Sequence, residues 1–261
     1  MAKQLENKPL VEALVEMKWQ LQDVATNVRV DPVYPLFLGR FHERVRDAYP
    51  NVEPLPAAHV PDELTPHTAK YRFRASKDGW PVVQVGPGVG TLNFTDSYNW
   101  DRFSDAARPF FAKLLEAYAV DGDEPRPQFA SGLLRFINAI EFDVLGNDAL
   151  QFLSEKFHTT FKLPNAIGDA EQVTGPPHAL QLSATYRLES PPGIGSVRFS
   201  TGAKQERPAL LWELNILSQD DQVPQDEHAF EKWLTQAHEV IELWFFALIE
   251  GDLERMFEGG E

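Results

Sequence analysis

From Leu10 to Trp19 the apolar residues Val11, Ala13, Val15, Met17 and Trp19 alternate with Glu12, Glu16 and Lys18. That period of two is the signature of a strand with one buried face. Asp31-Pro32 then opens a helix whose Leu38, Phe41 and Val45 fall on one stripe, and Tyr49-Pro50 closes it. After a Pro-rich loop over 53–66, strands are predicted over 69–75, 81–85 and 90–95, with Lys77-Asp78-Gly79 turning between the first two. They read as an antiparallel meander. Trp100, Phe103, Ala107, Phe110, Phe111, Leu114 and Tyr118 return to helical spacing over 100–118, with a kink expected at Pro109.

The polar stretch 121–128 reads as a linker, and the same order of elements then restarts. A strand is predicted over 129–142, a short helix over 148–161, strands over 179–188, 194–201 and 209–217, and a long amphipathic helix over 226–257. Short matches support a repeat. Phe37-Leu38 with Phe41-His42 resembles Phe152-Leu153 with Phe157-His158, and Tyr71-Arg72-Phe73 resembles Tyr186-Arg187-Leu188. Leu92-Asn93-Phe94 resembles Leu214-Asn215-Ile216, and Phe110-Phe111-Ala112 resembles Phe245-Phe246-Ala247. The expected fold is therefore α+β: two similar strand–helix–three-strand–helix halves, 1–120 and 129–261, joined in one compact domain. Their strands form a largely antiparallel sheet with the helices packed on one face, because the apolar strand rows need one buried side. An unduplicated α+β arrangement is the alternative. The element order is similar to that of saddle-shaped and helix-grip α+β proteins, an analogy of fold that carries no activity.

Composition narrows the classes of function. At 43% hydrophobic and 24% charged residues, the 261-residue chain has ordinary globular usage. The absence of cysteine excludes disulfides, thiol catalysis, thiolate metal sites and iron–sulfur clusters, and it fits a reducing, cytoplasmic setting. The longest apolar run, Leu243 to Ile249, is far shorter than the roughly 20 residues that span a bilayer, so no membrane partner is expected. With 39 acidic against 24 basic residues, the net charge of −15 opposes generic binding to a phosphate backbone.

No catalytic motif emerges, and neither a metal nor a cofactor is expected. Gly86-Pro-Gly-Val-Gly90 leads into a strand and lacks the lysine and helix of a phosphate loop, so it reads as a turn. His238 and Glu242 sit four apart on the last helix, where a zinc-protease helix has two histidines, and they read as a helix-face polar pair. Asp121-Gly-Asp123-Glu124 lacks the remaining ligands of a calcium loop. Phe245 and Phe246 widen the apolar stripe of the last helix, which fits either deep burial or a patch for a partner subunit.

The predicted strands are nearly charge-neutral in a strongly acidic chain. Lys70, Arg72 and Arg74 alternate with Tyr71 and Phe73 and are expected together on the solvent side of the sheet. Arg135, Arg187, Glu12 and Glu16 are expected on the same polar face, whereas Asn138 falls in the apolar row of Leu134, Phe136, Ile140 and Phe142 and should be buried. Those eight residues are the candidate site.

Pro9-Leu10-Val11-Glu12-Ala13 with Glu16 and Trp19, Arg135-Phe136-Ile137-Asn138 with Ile140, and a last helix bearing His238 and Phe245-Phe246 resemble a sporadically distributed, uncharacterised family of bacterial and archaeal proteins. That family has no established activity, so the resemblance implies no catalytic residue. The expected function is a non-enzymatic binding or regulatory protein whose exposed sheet face receives an anionic ligand or a protein partner. An enzyme with a carboxylate and arginine site on that face is the alternative, nucleic-acid binding a third, and a homodimer is left open.

Overall fold

The computed structural model describes residues 5–26, 28–95, 98–118, 126–143 and 147–259. The chain opens with β1 (Leu10–Trp19), a hairpin of β2 (Gln22–Ala25) and β3 (Val28–Val30), and helix α1 (Tyr34–Val45). β4 (Asn51–Pro54), two short 3-10 turns, β5 (Tyr71–Arg74), β6 (Val82–Gly86), β7 (Val89–Phe94) and helix α2 (Trp100–Tyr118) complete the first half. The second half is β8 (Phe129–Glu141), α3 (Ala149–Lys156), the single-turn α4 (Asn165–Gly168), β9 (Gln181–Glu189), β10 (Pro192–Lys204), β11 (Arg207–Gln219), α5 (Glu227–Ile249) and α6 (Asp252–Phe257). Residues 121–125 of the predicted linker 121–128, with the calcium-like Asp121, Asp123 and Glu124, lie outside the described residues.

Nine strands make one antiparallel sheet in the order β4-β5-β6-β7-β1-β8-β11-β10-β9. The first strands of the two halves, β1 and β8, pair antiparallel at its centre, and each half then runs outward through its last, middle and first meander strand. The halves share this connectivity but not their dimensions. β10 and β11 have 13 residues each where β6 and β7 have five and six, and the β2–β3 hairpin and β4 have no counterpart among the described residues of the second half.

One sheet face is closed by helices, as the alternation requires. Ala13, Val15, Met17 and Trp19 of β1 are each at most 1% exposed, and Leu210, Trp212, Leu214 and Ile216 of β11 are fully buried. Aromatic rings carry the packing: Phe111 of α2 stacks on Phe230 of α5 with centroids 4.2 Å apart, and Phe37 of α1 lies 5.5 Å from Trp19. A second cluster, with Phe142, Phe157, Trp212 and Phe257, lies under α3 and α6.

Local chemistry sets the helix ends. The Asp148 carboxylate accepts from the Leu150 and Gln151 amides and starts α3, and Asp226 accepts from Ala229 and starts α5. α3 stops at Lys156, short of the predicted end at Phe161, because Phe157 is the last of its residues to reach the core and His158 turns to positive φ. The predicted helix 226–257 is two helices, broken where Gly251 takes a φ of 97° that other residues rarely adopt. α2 runs through Pro109 unbroken over its expected span. Pro87-Gly88 forms the predicted turn, with Gly88 at φ 73°, and Gly86 admits no side chain because a Cβ there would lie 1.9 Å from the Thr68 carbonyl oxygen.

The first half is pinned by Asp31, which is 5% exposed. Its carboxylate accepts from Trp19 Nε1 at 2.8 Å, the Val33 amide at 3.1 Å, the Gly88 amide at 3.2 Å and the Tyr118 hydroxyl at 3.4 Å. One side chain thereby ties the end of β1 to the starts of α1 and β7 and to the end of α2. Asp31→Ala leaves the buried Trp19 and Gly88 donors without an acceptor, at about 1–3 kcal/mol each. A loss of roughly 2–6 kcal/mol is expected in urea unfolding, and a change below half a kcal/mol would show that water takes over the bonds.

Candidate functional site

The uncovered sheet face holds most of the charged residues singled out in the sequence, but it spreads them over a plane. Arg72, Gln84, Thr91, Glu16, Leu133, Leu217, Ile194 and Arg187 follow one another across the strands in a single row. Arg72 and Arg187 sit at its two ends, seven strand spacings or about 34 Å apart. Arg74 and Arg135 lie in the adjacent row, and Glu12 in the one after that.

Several of these groups are already engaged. Arg72 and Arg74 both pair with Glu53 of β4, at 3.5 and 3.4 Å, and Arg74 also donates to the Gly79 carbonyl and lies over the Trp80 ring. Arg135 Nε donates to Asn215 Oδ1 at 3.0 Å, Glu12 accepts from Asn93 Nδ2 at 2.7 Å, and Glu16 pairs with Lys18 at 2.6 Å. Lys70 departs from expectation. It is 3% exposed rather than on the solvent side, because the loop after β4 folds over it and supplies the Asp62 carboxylate and the Val60 carbonyl to its ammonium group.

Asn138 leads elsewhere. It sits on the helix face of β8, 2% exposed as the apolar row predicts, but its Nδ2 has no hydrogen-bond partner among the described residues. A buried donor in that state is uncommon and calls for a reason. Asn138 lines a pocket of about 170 Å³, bounded by the chain entering β1, the start of α2 and the middle of α5. Of the six buried side-chain polar atoms left unpaired among the described residues, a second, the Tyr98 hydroxyl, lines the same pocket.

The walls are aromatic. The Tyr98 ring stands edge-on to Phe136 at 5.3 Å, and Trp100 stacks flat on the His238 imidazole, with centroids 3.6 Å apart and planes 11° from parallel. Phe245, Phe246, Ile241, Leu10 and Pro9 complete the apolar lining. Asn99 holds the start of α2 by accepting from the Arg102 amide, and Lys8 donates to the Tyr98 carbonyl at 2.7 Å, which fixes the segment before the helix. On the sheet side, Leu10 faces Asn138 beside an irregularity in register between Leu10 and Glu12, a device that re-aims side chains next to a site.

Two carboxylates, Asp101 and Glu242, and one ammonium group, Lys8, line the pocket. Burial lowers His238 from its ordinary 6.5 to about 4, so its ring is neutral near pH 7. Burial, reinforced by the neighbouring Glu242 charge, pushes the Tyr98 phenol well above its ordinary value and keeps it protonated. His238 and Glu242, read from sequence as a polar pair on one helix face, both line the pocket. Among the described residues no group of three metal-ligating side chains comes together.

The sequence pointed to Asn138 but not to Tyr98 or Trp100, whose part depends on α2 beginning directly beside β8. No local pattern signals that placement. A stability test follows from His238. Its folded state favours the neutral ring, so its contribution is complete above pH 6.5 and is lost as pH falls from 6.5 toward about 4. Unfolding measured across that window should show a loss of up to about 3 kcal/mol in the wild type that His238→Phe lacks. Identical pH profiles for the two proteins would mean that the ring titrates normally.

No protein-family model and no curated protein matches the chain.

Proposed function

We propose that the protein is a non-enzymatic binding protein whose ligand is a small, flat, uncharged molecule held between the helices and the sheet. The observation that carries this reading is the pair of unpartnered buried groups, Asn138 Nδ2 and Tyr98 OH, lining one aromatic pocket. A void of about 150 Å³ accommodates benzene, so 170 Å³ suits a single substituted ring. Asn138 calls for an acceptor on that ring, and the Tyr98 hydroxyl can give or take a hydrogen bond. An anion would meet Glu242, while the Lys8 ammonium is engaged by the Tyr98 carbonyl, so a neutral ligand fits best.

The dispersal of Arg72, Arg74, Arg135, Arg187 and Glu12 over an open plane speaks for binding over an arginine and carboxylate active site. It also weakens the sheet face as an anion receptor. Among the described residues, the two buried guanidinium nitrogens without a partner there, Arg72 Nε and Arg198 Nε, lie six strand spacings or about 29 Å apart, too far to hold one small anion.

Benzamide is the probe of choice, since its carbonyl accepts from Asn138 and its amide donates toward Glu242, and benzene serves as the control without either group. Calorimetric titration should give saturable benzamide binding that weakens about tenfold in Asn138→Leu. The same substitution should leave the ligand-free protein as stable as the wild type or more so, because it removes an unpaired buried donor. If Asn138→Leu instead destabilises the free protein by 1–3 kcal/mol and benzamide does not bind, the amide is a structural group and the reading fails.

A further inference from the structure

The two edges of the nine-stranded sheet are built differently. β4 offers four residues and ends in Pro54, which has no amide to donate. β9 offers nine, Gln181–Glu189, and pairs with β10 on its inner side without a shift in register. It contains no proline and no lysine, and no described strand pairs with its outer side. Natural proteins usually shorten, charge or cover such an edge, because outward-facing amides and carbonyls are a template for another strand.

We propose that β9 is a self-association edge: two copies of the chain pair their β9 strands antiparallel about a two-fold axis at Thr185, joining the two sheets into one. The argument is the order of the side chains. With Thr185 on the axis, each residue meets the one equally distant on the other side. On the helix face, Leu182 then opposes Leu188 of the second copy, and Ala184 opposes Tyr186. On the open face, Gln181 opposes Glu189, Ser183 opposes Arg187, and Thr185 opposes itself. Every pair is apolar with apolar or polar with polar, large side chains face small or flexible ones, and no like charges are directly opposed.

Tyr186 is 53% exposed, a large aromatic standing at the edge, and Trp244 of α5 holds it edge-on at 5.6 Å. Ala184 across the axis leaves room for that ring. Moving the axis by one residue either way breaks the Leu182–Leu188 match, setting two tyrosines or two alanines against each other instead. Thr185 is the midpoint of Gln181–Glu189, so only this axis pairs all nine residues of the strand with one another, and the pairing buries an aromatic ring and a polar edge that are otherwise left in water.

The test uses the full chain. Sedimentation at micromolar concentration should give about twice 29.5 kDa for the wild type and the single-chain mass for Thr185→Lys. The latter sets two ammonium groups against each other at the axis but costs a lone edge strand little. Because the chain has no cysteine, register is read directly by single substitutions. At Thr185→Cys the two Cα atoms would be about 4.5–5.5 Å apart, within disulfide reach, whereas at Ser183→Cys they would be about 14 Å apart. Mild oxidation should cross-link the first variant and not the second. A monomeric wild type, a dimer that survives Thr185→Lys in a folded protein, or equal cross-linking of both variants would each overturn the proposal.

Discussion

The fold depends on a carboxylate placed where four elements end. Asp31 lies just before α1, and its carboxylate accepts hydrogen bonds from the last residue of β1, the Val33 amide at the entry to α1, the turn into β7 and the final residue of α2. Charge-assisted bonds of this kind are strong in a low-dielectric surrounding, and leaving their donors unmet is expensive. Trp19, fully enclosed beside it, meets Phe37, Tyr118 and Phe129 with its ring while its indole nitrogen is fixed by the carboxylate. Orientation and burial are thus set together, and the helices of the first half have one way to lie on the sheet.

In the second half Phe157 stands edge-on to Phe199 and Trp212, Phe230 continues the stack begun by Phe111, and the buried Ser218 hydroxyl accepts from Trp233 Nε1 and donates to the Pro192 carbonyl. Where the helices of the two halves approach over the central strands, aromatic surfaces of different origin leave the space occupied by the pocket. Asn138 and Tyr98 are polar groups in a region otherwise packed for apolar contact, and local rules of satisfied hydrogen bonding tend to fail where a molecule is meant to bind.

Much of this architecture was legible in the residue pattern. The alternation over β1 and the seven apolar positions of α2 defined both elements to within a residue of their ends, because each has one face against the core and nothing competing for the other. What escaped was of two kinds. β2, β3 and β4 are three or four residues long and largely exposed, too short to show a period. The burial of Lys70 depends on a loop that returns across it, a contact between Asp62 and the strand that alternation cannot express. The same holds for the pocket. Asn138 was marked out by its neighbours in the strand, whereas Trp100 and His238 become neighbours only when α2 and α5 meet.

The central pairing of β1 with β8 carries a consequence for how the protein is made. Leu14 and Arg135 face each other across that pair although they are about 120 residues apart in the chain. Pairing so distant in sequence is slow to form, since the intervening loop must be closed before the contact rewards it. During synthesis the first half can assemble β5, β6 and β7 beside β1, but one whole edge of β1 stays unpaired until the ribosome has released β8. A nascent chain paused between the halves therefore presents a ten-residue strand, rich in valine and leucine, as its most adhesive surface.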